Sequence, residues 1–152
     1  THSQRKTLME EIGSKYVGIS GGHDEIYSYD EAVVRYKMAL LTAIKKPAKL
    51  SECAYLCLKL SWLYRSMSVE KIEEHYRENA YKGFEEALQK EYPPICGMDE
   101  NTISYLMSVL AYKSGDNDKA MQYGYSVISS RGASRKLKDK EREIIDILKA
   151  EK

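Results

Sequence analysis

Residues 53–65, CAYLCLKLSWLYR, put Cys53, Leu56, Cys57, Leu60, Leu63 and Tyr64 at spacings of three and four, which fit one face of an α-helix and no strand. Beside that face runs a second stripe, Tyr55, Lys59, Trp62 and Arg65, in which aromatic rings alternate with cations. The first stripe is core material, whereas the second is a poor core and a good contact surface. A helix with two such faces needs neighbours, and helical segments flank it on both sides.

Ahead of it, Leu8, Met9, Ile12, Tyr16 and Val17 recur at helical spacing over residues 5–17, and Gly18, Gly21 and Gly22 then form a loop. His23 and Asp24 lie in that loop and read as solvated. Ser28 and Glu31 form a capping box for a helix carrying Ala32, Tyr36, Ala39 and Leu40 on one face. Pro47 ends that helix, with Lys45, Lys46 and Lys49 near its terminal carbonyls. Ser51 is expected to open the tryptophan-bearing helix, and Ser68 to cap a long one with Ile72, Tyr76, Ala80, Phe84, Ala87 and Leu88 inward. Pro93 and Pro94 stop it. After a turn over 94–98, Asp99 caps a helix with Ile103, Leu106, Met107, Leu110 and Ala111 inward, and Gly115 ends it. Asp116 or Asn117 starts the next, with Ala120, Tyr123, Val127 and Ile128 inward, ended by Arg131 and Gly132. A last helix carries Leu137, Ile144, Ile145 and Leu148, backed by Arg135, Lys136, Lys138, Lys140 and Arg142. The class is all-α, with about seven helices and no strand.

Composition narrows the function. With 152 residues the chain reads as one domain, and 24 basic against 23 acidic side chains leave a net charge of +1. That balance argues against a nucleic-acid binder relying on bulk electrostatics. Three cysteines, an odd number, make no disulfide framework and suit reduced intracellular thiols. No apolar run approaches the ~20 residues of a membrane span, and no leader pattern is present. Cys53 and Cys57 with Cys96 or His75 lack the close pair of a structural zinc site, so they read as small core residues and no metal is expected. The carboxylates along residues 70–86 have nothing apolar around them to raise a pKa, so they read as a solvated face and no catalytic residue or cofactor is assigned.

Residues 101–132 fit the tetratricopeptide frame of ~34 residues, with Ser108, Gly115, Ala120 and Val127 at its eighth, fifteenth, twentieth and twenty-seventh positions. Gly124 departs from it, standing where a bulky ring is usual. Ser61, Tyr64, Ala80, Phe84 and Ala87 fit a second copy lengthened by seven residues, about two turns at ~3.6 per turn. Tyr29, Ala32, Tyr36 and Ala39 match a further second helix, with residues 5–17 as its degenerate partner. The expected architecture is a right-handed tetratricopeptide-like array: a degenerate helix and loop over 1–27, a repeat core over 28–131 of about three hairpins, and a capping helix over 132–152.

LCLKLSWLYR (56–65), PICGMDE (94–100) and EAVVRYKMALLTA (31–43), in this chain, resemble the C-terminal helical region of the bacterial family named domain of unknown function 2225, over roughly residues 28–131. The resemblance implies a tetratricopeptide-like domain in a bacterial cytoplasmic protein. Members of that family usually carry a cysteine-rich, zinc-binding segment before the helices. This chain starts at Thr1 without one, so a fragment of a longer protein is expected.

Repeats of this kind bind along the concave surface lined by their first helices. Tyr55, Lys59, Trp62 and Arg65 from one hairpin and Tyr105, Val109, Tyr112 and Lys113 from the next are the candidate partner-binding residues. Rings flanked by cations suit a peptide or helix with acidic and apolar side chains. The expectation is a non-enzymatic protein-interaction domain. Its alternatives are a helical accessory to a zinc-binding protein or enzyme whose active segment lies upstream, and RNA association through the basic last helix.

Overall fold

The structure is a computed structural model, and it describes residues 29–45 and 49–151. Among these residues are six helices: α1 (Tyr29–Lys45), α2 (Leu50–Ser66), α3 (Glu70–Leu88), α4 (Glu100–Lys113), α5 (Asn117–Ser129) and α6 (Arg135–Ala150). The class is all-α as expected; the seventh helix expected over 5–17 and the cap at Ser28 lie outside the described residues. The chain divides into two compact units, whose described parts are 29–92 and 93–151.

In the first unit α2 packs chiefly on α3 and also on α1. Val33, Tyr36 and Ala43 from α1 meet Leu56, Leu60, Leu63 and Tyr64 from α2, with the partly buried Tyr76 and Trp62 packed against them. Of the α2 stripe predicted as core, Leu56, Cys57, Leu60, Leu63 and Tyr64 are buried, while Cys53 is half-buried. Helices α2 and α3 come close where Gly83 of α3 faces Ala54 of α2: a Cβ on Gly83 would lie 2.9 Å from that of Ala54. In the second unit α4 packs on α5, and α6 packs on both. Ile103, Leu106, Met107, Leu110, Ala120, Val127, Ile144, Ile145 and Leu148 are its buried side chains.

The two hairpins turn in the same way. At the end of α2 the amide of Ser68 donates to Arg65 O (3.0 Å) and that of Val69 to Tyr64 O (2.9 Å); Ser68 has φ +61°. At the end of α4 the amide of Gly115 donates to Tyr112 O (3.1 Å) and that of Asp116 to Ala111 O (2.9 Å); Gly115 has φ +82°. Both are the paired six-to-one and five-to-two bonds of a Schellman ending. Ser68 is thus the left-handed residue that closes α2, not the cap of α3, whose N-cap is Val69 with no side-chain bond. The seven-residue lengthening appears as a longer second helix, 19 residues in α3 against 13 in α5.

The start of α2 also differs from expectation. Its N-cap is Lys49, and Ser51 instead donates from its amide (3.1 Å) and its hydroxyl (2.7 Å) to the Glu91 carboxylate. A carboxylate from beyond α3 thereby serves the amide end of α2, where negative charge is favoured. The other caps fall as the residue types dictate: Asp99 accepts from Thr102 N–H (2.7 Å), Asp116 from Lys119 N–H (3.4 Å), and Ser134 from Leu137 N–H (3.1 Å). Before α4, Ile95 and Met98 exchange N–H···O bonds of 2.9 Å across Cys96 (φ +51°) and Gly97 (φ +78°). Two positive-φ residues in the bend make a tight turn of the primed type. Both flanking side chains are buried beneath it.

Candidate functional site

The eight predicted partner-binding residues divide by depth. On α2, Tyr55 and Lys59 are buried while Trp62 and Arg65 are half-buried; on α4, Tyr105 and Val109 are buried while Tyr112 and Lys113 are half-buried. Lys59 is 2% exposed, yet its charge has aromatic company from its own chain. Its Nζ lies 4.9 Å from the centroid of Trp62 and 5.6 Å from that of Tyr36. A cation desolvated between two ring faces is stabilised by each ring's quadrupole. The alternation of rings and cations along α2 is thus satisfied in part inside the unit, through the α1 ring of Tyr36. Tyr112 sits near the end of α6, its hydroxyl donating to Glu151 Oε1 at 3.4 Å.

Among the described residues a concave feature of the first unit lies elsewhere, between α1, α2 and α3. A trough of about 440 Å³ is walled by Leu40 and Ile44 of α1, by Leu50, Cys53, Ala54 and Cys57 of α2, and by His75, Tyr76, Asn79, Gly83 and Glu86 of α3. Its volume falls in the range of ligand-holding clefts, and aliphatic walls with a few polar groups are their usual lining. Gly83 and Ala54 form the floor because they are the small pair at the helix crossing. On the α3 wall Asn79 Nδ2 lies 3.2 Å from His75 Nε2, and the His75 ring meets Tyr76 edge-on, centroids 5.2 Å apart. Tyr76 in turn stacks on Tyr64 at 5.7 Å and 7°, and Lys37 Nζ lies 5.5 Å from the Tyr64 centroid. A hydrogen bond to Tyr64 raises the pKa of Lys37 above the lysine norm. Single-helix periodicity could not show the trough, because it takes a wall from each of three helices.

The thiols in the trough are not activated. Burial pushes the Cys57 thiol up to about 11 from 9.0, with the neighbouring Cys53 adding to it. Burial, then Glu52, raises Cys53 as well. A thiol held protonated is a weak nucleophile and a weak metal ligand. Among the described residues no group of three or more His, Cys, Asp or Glu side chains is placed to hold a metal ion.

The Cys57 shift has a stability consequence. Between pH 9 and 11 the folded state keeps a proton that the unfolded chain releases, so the unfolded state binds fewer protons and stability falls as pH rises. The loss across that window reaches at most about 3 kcal/mol. Urea midpoints measured from pH 8.5 upward should therefore decline more steeply for the native sequence than for Cys57→Ala. Parallel declines would contradict the buried-thiol account.

In the second unit, Glu141 of α6 is fully buried and Ser108 of α4 carries it. The Ser108 hydroxyl lies 3.0 Å from Glu141 Oε2 and 3.1 Å from the carbonyl of Ala120 on α5, so one side chain ties three helices. Gly124 of α5 makes room: a Cβ there would come within 3.0 Å of Glu141 Oε2 and 3.2 Å of Ile145 Cδ1. The departure from the repeat frame at Gly124 is explained by this carboxyl group.

No helix among the described residues is long and apolar enough to cross a membrane. No curated protein and no solved structure matches the chain. The family described as an uncharacterized protein conserved in bacteria, domain of unknown function 2225, matches residues 1–148, a wider span than the helical stretch that carried the resemblance. The chain belongs to that bacterial family.

Proposed function

We propose that the chain is a non-enzymatic protein-interaction domain of tetratricopeptide-like build, and that its partner seats apolar side chains of a peptide or helix in the trough between α1, α2 and α3. The observation that carries this reading is the trough itself, about 440 Å³ with aliphatic walls and three polar side chains, His75, Asn79 and Glu86, on one side. Such a cleft gives a partner helix an apolar seat and a polar rail for orientation. The shared Schellman turns, and the closeness of Ser108 to Ala120 at the eighth and twentieth positions, support the repeat reading. The protonated thiols of Cys53 and Cys57 favour binding over covalent chemistry there. Trp62 and Arg65, half-buried on α2, are the less buried members of the predicted stripe in this unit.

His75 and Asn79 are exposed, so His75→Glu with Asn79→Glu leaves the core intact while placing two carboxylates over the trough. Co-purification of the tagged protein from a bacterial host should recover a protein partner with the native sequence and lose it with the double variant, at unchanged circular dichroism. Equal recovery by both, or none by either, would overturn the trough assignment.

A further inference from the structure

A single hydroxyl proton stands between two oxygens at the centre of the second unit. Ser108 Oγ lies 3.1 Å from the carbonyl of Ala120 on α5 and 3.0 Å from Glu141 Oε2 on α6. A carbonyl only accepts, and an ionised carboxylate only accepts as well, while serine has one proton to give. Against an ionised Glu141, one of the two contacts would set oxygen lone pairs face to face. Against the neutral acid both are satisfied in series: Glu141 Oε2 donates to Ser108 Oγ, and Ser108 Oγ donates to Ala120 O. Burial points the same way. Glu141 is 0% exposed, and Gly124 stands so near that a Cβ there would lie 3.0 Å from Oε2. An ionised carboxyl group taken out of water at such a place is costly enough that the group neutralises instead.

We infer that Glu141 is held as the neutral acid and works as a pH-sensitive latch, whose loss of a proton loosens α6 from α4 and α5. The carboxyl group is one of four side chains that α6 buries, with Ile144, Ile145 and Leu148. Once ionised it reaches water only if α6 moves. The titratable side chains around it do not share its range. On α4, Tyr105 and Tyr112 stand three before and four after Ser108; on α5, Lys119 and Tyr123 adjoin Ala120 and Gly124; on α6, Lys138 precedes Glu141 by one turn. Tyrosine and lysine ordinarily change charge near ~10, and residues 93–151 contain no histidine. The unfolded chain gives up the Glu141 proton near the ~4.3 of an ordinary glutamate. Above that pH the folded chain binds one proton more than the unfolded one, so the second unit loses stability as pH rises, until the folded group ionises too. The latch stands apart from the trough, and variants at His75 and Asn79 do not touch it.

Carbon-13 spectra of the 152-residue chain, labelled at the glutamate carboxyl carbons, read the protonation state directly. The Glu141 resonance, assigned through its own backbone, should keep the position of a neutral acid at about pH 6, where exposed glutamates are ionised. Amide hydrogen exchange reads the latch. Corrected for the intrinsic rate, exchange at Ile144, Ile145 and Leu148 should quicken by up to about tenfold per pH unit above ~5, the linkage of one proton. Leu60 and Leu63 of the first unit should not follow. Glu141→Gln keeps a donor for Ser108 and has no proton to lose, so its α6 exchange should be flat with pH and slower than native at about pH 7. A Glu141 carboxyl group that titrates together with the exposed glutamates would overturn the neutral acid. Flat α6 exchange in the native chain, or an equal pH dependence in Glu141→Gln, would overturn the latch. The two native measurements decide the matter even if that variant does not fold.

Discussion

Gly83→Leu is expected to unpack the first unit. A Cβ at that position stands 2.9 Å from the Cβ of Ala54, an approach that side chains do not make, and the obstructing atom is fixed directly to the α2 backbone. Nothing flexible is available to move, so the helices must part. Overpacking costs typically ~1–3 kcal/mol and more where the backbone must shift. A leucine here should cost at least about 3 kcal/mol, close to a 10 °C fall in melting temperature for a chain of this size. Gly83→Ala separates the opposing effects: the alanine gains up to ~1 kcal/mol of helix propensity, but the clash outweighs it and a net loss of about 1 kcal/mol remains. Thermal melts of the two variants check this, and a stabilised Gly83→Ala would show that α2 and α3 do not cross at Ala54.

The second large effect is conditional. Glu141→Ala removes a fully buried carboxyl group that the Ser108 hydroxyl meets at 3.0 Å, and a hydrogen bond is worth about 0.5–1.5 kcal/mol net. A loss of about 3 kcal/mol is expected once the cavity is included. Gly124→Ala alone should be destabilising, because its methyl would press on the Glu141 carboxyl group and on Ile145. In the Glu141→Ala background the two carboxyl contacts are gone and only Ile145 Cδ1, the far end of a flexible side chain, stays at 3.2 Å, so the same substitution should stabilise by up to the ~1 kcal/mol that alanine gains over glycine in a helix. A change of sign between the two backgrounds is the signature of direct contact in a double-mutant cycle. Additive effects measured by urea unfolding would separate Gly124 from Glu141.

These two sites also show where sequence reading stops. The α2 core face was legible because Leu56, Leu60 and Leu63 share one helical side, and the structure buries all three. Asp99 was legible as a cap because a short carboxylate before a helix has few other uses. Ser68 was not: serine signals an N-cap, but this one takes the left-handed turn that glycine takes in the second hairpin, at Gly115. Glu91 was equally hidden, since its role at Ser51 joins residues 40 apart and neither carries a local signal of the other. Gly124 stood out as a departure, but its reason lay in Glu141, on another helix.

The candidate site was less legible than the fold. The stripe of Tyr55, Lys59, Trp62 and Arg65 was visible because its residues share a helix face. Periodicity cannot tell a cation awaiting a partner from one already held, and Lys59 is held between Trp62 and Tyr36. Tyr36 comes from α1, so only the folded packing reveals the pair. The trough escaped for the same reason. Leu40, Cys53 and Asn79 belong to three helices, and nothing in their own segments marks them as sharing a wall.

The most direct test of the binding account is photo-crosslinking in a bacterial host from a benzophenone side chain placed at Asn79, on the trough wall. Tyr92, 92% exposed and outside the trough, is the control position. The account predicts a discrete protein adduct from position 79 that is absent from position 92. Adducts of equal yield from both positions, or none from position 79, would contradict it.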